Sequence, residues 1–160
     1  LKMNKMSSTQ QAHNVLPVRI YYEDTDAGGI VYYANYLRYA ERGRTELLRS
    51  LGVEKLALME REQLAFAVRG CNVEYLLPAR LDDALEVHTR VLNVGGASLH
   101  LDQRVLRDGE TLTEIDIRLV CMHINGPLMG RPSRIPTEVR SVLEPLCEIF
   151  TGNNLDVTKS

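Results

Sequence analysis

Two hydrophobic periods divide this chain. Val18, Ile20 and Tyr22 alternate with Arg19 and Tyr21, the period-two pattern of a half-buried strand. Over 33–51 the period lengthens. Leu37, Ala40, Gly43, Leu47 and Leu51 recur at three- and four-residue intervals, while Arg38, Glu41, Arg42, Glu46 and Arg49 take other positions. That spacing predicts one long amphipathic helix, with Gly52 as its stop. Gly43 costs such a helix about 1 kcal/mol against alanine, so the close approach of a neighbour is the expected compensation. A shorter helix is predicted over 53–62. The period then returns to two. Strands are predicted over 64–77, ended by Pro78, and over 84–93, 98–106 and 111–123. Gly95-Gly96 and Arg107-Asp108-Gly109 supply turns between them. A last amphipathic segment over 136–150 reads as helical, interrupted by Pro145.

The order is one strand, one long helix, then a run of strands joined by tight turns. Tight turns join antiparallel neighbours, and one long helix covers one face of the sheet they build. The class is therefore α+β. The uncovered face and the sheet edges need another cover, and self-association supplies it most simply. A homo-oligomer is expected.

Composition adds mainly exclusions. The 160 residues suit one domain. We expect it over 16–136, followed by a helical segment over 137–150, with polar tails over 1–15 and 151–160. A formal net charge of -2 gives no global pull toward nucleic acid. Cys71, Cys121 and Cys147 are widely spaced and odd in number, without a C-x-x-C, so a disulfide framework or a zinc site is not expected. No apolar run approaches the roughly 18 residues of a membrane span, and residues 1–14 lack the apolar region of a secretion signal. A cytoplasmic protein with reduced thiols is the expectation.

The chemistry is equally selective. No G-x-S-x-G, P-loop or G-x-G-x-x-G is present. His13, His88, His100 and His123 lie far apart, with no metal-ligand spacing. No metal and no cofactor are expected. The informative stretch runs from Tyr21 to Tyr36 and reads YYEDTDAGGIVYYANY. It combines a strand end, an acidic loop, two glycines and a helix start. Free N–H groups at a helix start carry partial positive charge and can hold a developing oxyanion. A nearby carboxylate can attack a carbonyl or activate water against it. Gly28 and Gly29 let a substrate approach the backbone. The same parts also make an ordinary capped turn, which physics alone favours.

The run from Tyr21 to Tyr32 resembles the signature of hotdog thioesterases of the 4-hydroxybenzoyl-CoA thioesterase family, most nearly its YbgC-type branch, which is associated with the Tol-Pal system. Glu41-Arg42-Gly43-Arg44-Thr45-Glu46, Val73-Glu74-Tyr75 and Pro78-Ala79-Arg80-Leu81-Asp82-Asp83 resemble that branch too. The resemblance implies a hotdog fold, an antiparallel sheet wrapped around one long helix and paired into dimers or tetramers. It implies hydrolysis of an acyl-CoA thioester to free acid and coenzyme A. The family's catalytic aspartate falls on Asp26, as nucleophile or general base. The oxyanion donor falls on the backbone N–H of Tyr33. Many YbgC-type members carry histidine there. Tyrosine resembles the 4-hydroxybenzoyl branch, so aromatic acyl groups stay among the candidates.

That aromatic branch places basic residues at the turn occupied here by Gly95-Gly96-Ala97, which has none. Arg131 and Arg134 are the candidates for the coenzyme A phosphates, with Ser98 third, because arginine offers phosphate a fork of donors. Tyr32 and Tyr36 are candidates for lining an acyl pocket, and Asp24 for orienting the loop. Glu41 and Glu46 are expected to pair along the helix face with Arg42, Arg44 or Arg49. Two other functions compete. One is a module that binds acyl carrier protein or a lipid-synthesis enzyme with little turnover. The other is dehydratase chemistry, ranked last because no histidine lies near Asp26 in sequence.

Overall fold

The computed structural model describes the backbone of residues 11–152 and the side chains of 11–147. Residues 1–10 and 153–160, most of the two expected tails, lie outside the described residues. The elements in order are β1 (Asn14–Arg19), α1 (Asn35–Ser50), α2 (Lys55–Glu62), β2 (Leu64–Tyr75), β3 (Ala84–Val94), β4 (Ser98–Arg107), β5 (Glu110–His123) and α3 (Thr137–Gly152). One antiparallel sheet runs β1-β3-β4-β5-β2.

The period-two residues face where their spacing predicts. Leu85, Val87 and Val91 of β3, Leu101 and Val105 of β4, and Ile115 and Ile117 of β5 point inward and are buried. α1 lies across this inner face. Ala40, Leu47 and Leu48 enter a cluster with Leu101 and Ile117, and Tyr36 and Tyr39 enter a second with Ile20, Leu85 and Leu112. Gly43 has the neighbour its sequence position predicts. A Cβ there would stand 2.9 Å from Val87 Cγ1 and 3.0 Å from Thr89 Oγ1. Gly52 ends α1 with φ at +84°, a conformation open to glycine at no steric cost.

Four expectations are corrected. Tyr22 does not continue the first strand. β1 ends at Arg19, and Tyr22–Asp24 form a 3-10 turn in which Tyr22 is exposed. The strands are not all joined by tight turns, because the connection 76–83 carries the chain from β2, beyond β5, to β3 beside β1. Leu37 is exposed, whereas Arg44 is buried on the helix. A buried glutamine explains Arg44: its Nη1 donates to Gln103 Oε1 at 3.0 Å, and Gln103 Nε2 donates to Ala40 O and Thr89 Oγ1. Burial lowers the Arg44 pKa from its ordinary value. Finally, α3 runs through Pro145. Val139 and Leu143 before it are buried in the core, and Leu146 and Cys147 after it pack there, which outweighs one lost helical hydrogen bond.

Candidate active site

The segment between β1 and α1 is folded onto itself. Thr25 and Val31 form an antiparallel bridge, and the Asp26 amide donates to Ile30 O at 2.9 Å. Between them the chain reverses at Gly28 and Gly29. The Gly29 amide donates to Asp26 O, with φ at +79°. Asp26 Oδ1 accepts the Gly28 N–H at 2.8 Å. A Cβ on Gly28 would stand 3.1 Å from that same oxygen. Gly29 is therefore favoured by the backbone conformation of the turn, and Gly28 leaves room for the aspartate's oxygen. Asp26 Oδ2 has no hydrogen-bond partner among the described residues, and the side chain is exposed.

Asp24 holds this loop to the helix. Its Oδ1 accepts the Tyr39 hydroxyl at 2.7 Å and its Oδ2 accepts the Tyr21 amide at 2.8 Å. Its carbonyl accepts the Tyr32 amide at 2.9 Å and Asn35 Nδ2 at 2.8 Å. Four bonds on one residue join strand end, loop and helix start, the orienting role expected from the sequence. Burial, together with the bond to Asp24, pushes the Tyr39 phenol well above its ordinary value. The neutral hydroxyl therefore stays a donor. Asn35, buried at the first position of α1, had no sequence signal beyond its polarity at a helix start.

α1 begins at Asn35, two residues later than predicted, and Tyr33-Ala34 form the turn that leads into it. The Tyr33 N–H meets no acceptor among the described residues. Its carbonyl accepts the Tyr75 hydroxyl at 3.0 Å. Tyr32 and Tyr75 pack on the Tyr33 ring, at centroid distances of 4.9 and 6.2 Å. Tyr36 is buried with its hydroxyl accepting the Ala79 amide at 3.1 Å. A groove of about 300 Å³ opens here, lined by Ile30, Val31, Tyr33, Tyr36, Tyr75 and Leu77 among others. It is apolar, as an acyl chain or aromatic ring requires.

The other sequence candidates are placed unequally. Asp26 does not line the groove. It pairs with Ile30, three residues before Tyr33, so about 10 Å of extended chain separates the two positions. Arg131 and Arg134 are exposed on the loop after β5. β5 ends at His123, paired with Leu64, whereas the groove lies at the Tyr75–Thr113 end of the same pair. Eleven residues of strand separate those ends, roughly 35 Å. The structure therefore does not bring these arginines to the groove of their own chain. Ser98 pairs with Val120, at an intermediate position. The Gly95-Gly96 turn, which lacks a basic residue of its own, receives one from α3: Arg140 Nη2 donates to both Gly95 O and Gly96 O. No cluster of residues fit to hold a metal ion occurs among the described residues. No described helix is long and apolar enough to cross a membrane.

Known proteins resemble this chain over most of its length. The model of the thioesterase-like superfamily matches residues 21–143. The acyl-CoA thioesterase YbgC of Haemophilus influenzae is 42% identical over 130 residues, covering 81% of this chain and 93% of the relative. The acyl-CoA thioester hydrolase YbgC of Escherichia coli is 46% identical over 124 residues, covering 77% and 90%. Among solved structures, a probable thioesterase from Bartonella henselae superposes with TM-score 0.71 at 33% identity, covering 76% of this chain and 98% of that one. A Thermus thermophilus thioesterase, solved with coenzyme A and zinc, superposes with TM-score 0.69 at 27% identity, covering 86% and 96%. A turn-borne aspartate, a helix-start amide and an apolar groove thus sit in a chain that belongs to the thioesterase-like superfamily, among hotdog proteins and beside relatives of the YbgC type.

Proposed function

We propose that this protein hydrolyses acyl-CoA thioesters to a free acid and coenzyme A in the cytoplasm. Asp26 is the catalytic carboxylate and the Tyr33 N–H holds the oxyanion. In the general-base route, Asp26 takes a proton from water as its oxygen attacks the thioester carbonyl. The carbonyl oxygen becomes an anion held by the Tyr33 amide. The tetrahedral intermediate then collapses, the C–S bond breaks, and the departing thiolate recovers the proton from Asp26. In the nucleophilic route the carboxylate attacks first, expels the thiolate and leaves a mixed anhydride for water to cleave. Gly28 and Gly29 shape the carboxylate's turn, and Tyr32 and Tyr36 border the acyl groove.

The observation that carries this reading is the Tyr33 amide, left without an acceptor at the mouth of an apolar groove. The named activity of two YbgC relatives, each covered over at least nine-tenths of its length, supports the same reaction. The exposure of Asp26 in a single chain supports a homo-oligomer, dimer or tetramer, in which a second copy closes the site. An oxyanion donor is worth far more when water is excluded. Acyl carrier protein is the alternative thiol carrier.

The test is a panel of short-chain, long-chain and aromatic acyl-CoAs, with thiol release as readout. Turnover on at least one class is expected. Negligible turnover on all of them, with a stable complex to acyl carrier protein in pull-down, selects the binding-module reading instead.

A further inference from the structure

The peptide that carries the Tyr33 N–H is braced from both sides. In a trans peptide the C=O of one residue and the N–H of the next lie in one plane and point in opposite directions. Whatever holds the Tyr32 carbonyl therefore aims the Tyr33 N–H. That carbonyl accepts the Asn35 N–H at 2.9 Å. On its other side Tyr32 donates its own N–H to Asp24 O at 2.9 Å. The Asn35 side chain closes the ring, with Nδ2 donating to the same Asp24 O at 2.8 Å. Asn35 thus holds Tyr32 at both ends, directly at the carbonyl and through Asp24 O at the amide. The Tyr33 carbonyl is occupied by the Tyr75 hydroxyl. Of the backbone polar groups of Tyr32 and Tyr33, the Tyr33 N–H alone has no partner among the described residues.

The place of this asparagine in the helix supports a special use. Asn, Asp, Ser and Thr are favoured at the N-cap, where their side chains bond to free amides of the first turn. Here Ala34 takes the N-cap of α1, and no side-chain cap bond is made. Asn35 stands one position later, is buried, and reaches a carbonyl 11 residues back in the chain. An alanine at the N-cap costs a helix about 1 kcal/mol. A capping side chain would lie over the helix start, where an oxyanion has to approach the Tyr33 amide. The uncapped start keeps that approach open, and the asparagine fixes the loop instead.

We propose that Asn35 is a positioning residue for hydrolysis: it holds the Tyr32–Tyr33 peptide so that the Tyr33 N–H faces the thioester carbonyl as that oxygen becomes an anion. This rests on the thioester-hydrolase reading above and deepens it. An oxyanion donor acts only at hydrogen-bond distance from the developing charge, and removing one lowers kcat by about 10²–10³. Without the Asn35 side chain, the bonds from the Tyr32 amide to Asp24 O and from the Asn35 amide to Tyr32 O remain. The donor is displaced and not lost, so a smaller effect, about tenfold or more, is expected. The effect falls in kcat, with KM little changed, because the donor serves the transition state more than the bound substrate.

The experiment compares wild type with Asn35→Ala and Asn35→Asp in steady-state kinetics on the acyl-CoA that wild type turns over best. Circular dichroism and oligomer size are measured on each. Asn35→Ala removes both the donor and the volume. Asn35→Asp keeps the shape, replaces the donor by an acceptor and sets a carboxylate against Asp24 O. Both variants are expected to lose about tenfold or more in kcat, Asn35→Asp at least as much as Asn35→Ala, with KM within about twofold of wild type. Asn35→Ser, whose hydroxyl ends short of Asp24 O, replaces a variant that does not fold and is held to the same loss. A space-filling role predicts the reverse order, with Asn35→Asp near wild type and only the truncations impaired. That order, or wild-type kcat in the folded variants, overturns the positioning role and leaves hydrolysis standing. Absence of turnover by wild type on every thioester overturns hydrolysis itself, and the role of Asn35 falls with it.

Discussion

Removing the Asp24 carboxylate tests how the catalytic loop is held. The side chain accepts two bonds, from the buried Tyr39 hydroxyl at 2.7 Å and from the Tyr21 amide at 2.8 Å. In Asp24→Ala both donors lose their acceptor. The Tyr21 amide is near solvent and water replaces most of what it loses. The Tyr39 hydroxyl lies under the loop, and leaving a buried donor unsatisfied costs about 1–3 kcal/mol. The bonds from the Tyr32 amide and from Asn35 Nδ2 to Asp24 O survive, so the loop loosens without detaching. A net cost of about 2 kcal/mol corresponds to roughly 4–8 °C in Tm for a chain of this size. Asp24→Asn keeps one oxygen for Tyr39 but turns an amide toward the Tyr21 N–H, so about half that loss is expected. Thermal denaturation followed by circular dichroism reads the stability. Steady-state kinetics on an acyl-CoA reads the site, with kcat expected to fall more than KM changes. An alanine variant that melts with wild type and keeps its kcat would refute the clamp.

Other perturbations probe the frame beneath the site. Gly43→Ala places a methyl 2.9 Å from Val87 Cγ1 and 3.1 Å from Gln103 Nε2. It should destabilise by about 1–3 kcal/mol through overpacking, despite alanine's better helix propensity, as chemical denaturation will show. Gln103→Leu removes the acceptor of buried Arg44 and two donated bonds. A loss of about 3–5 kcal/mol is expected, and a denaturation midpoint at the wild-type value would contradict it. Tyr75→Phe removes the hydroxyl that ties β2 to Tyr33 O. Stability should fall by about 1 kcal/mol or less, because the bond is exposed, while KM for the acyl substrate rises.

Local chemistry made much of this molecule legible in its sequence. The return to period two after residue 63 marked four real strands. Gly43 announced a close approach and Gly52 a helix end, because each carries a conformational cost that only one local structure repays. Asp24 was readable as a loop organiser because an aspartate in a turn readily accepts bonds from nearby backbone amides. Long-range pairing was not legible. Nothing in residues 64–75 states that their partner is β5 rather than β3, since a strand's pattern encodes its faces but not its neighbour. Arg44 carried the mark of a surface residue, and only the distant Gln103 makes its burial tolerable. Arg131 and Arg134 drew attention because a guanidinium fork suits phosphate, and the loop after β5 holds them beside His123 and Cys121, away from the Tyr75 end of the β2–β5 pair.

The most direct measurement is single-turnover hydrolysis of an acyl-CoA by Asp26→Asn beside wild type, with oligomer size and coenzyme A affinity measured on both. The account predicts a loss of about 10²-fold or more in rate while assembly and binding persist. A variant that binds coenzyme A, assembles normally and hydrolyses at the wild-type rate would contradict it.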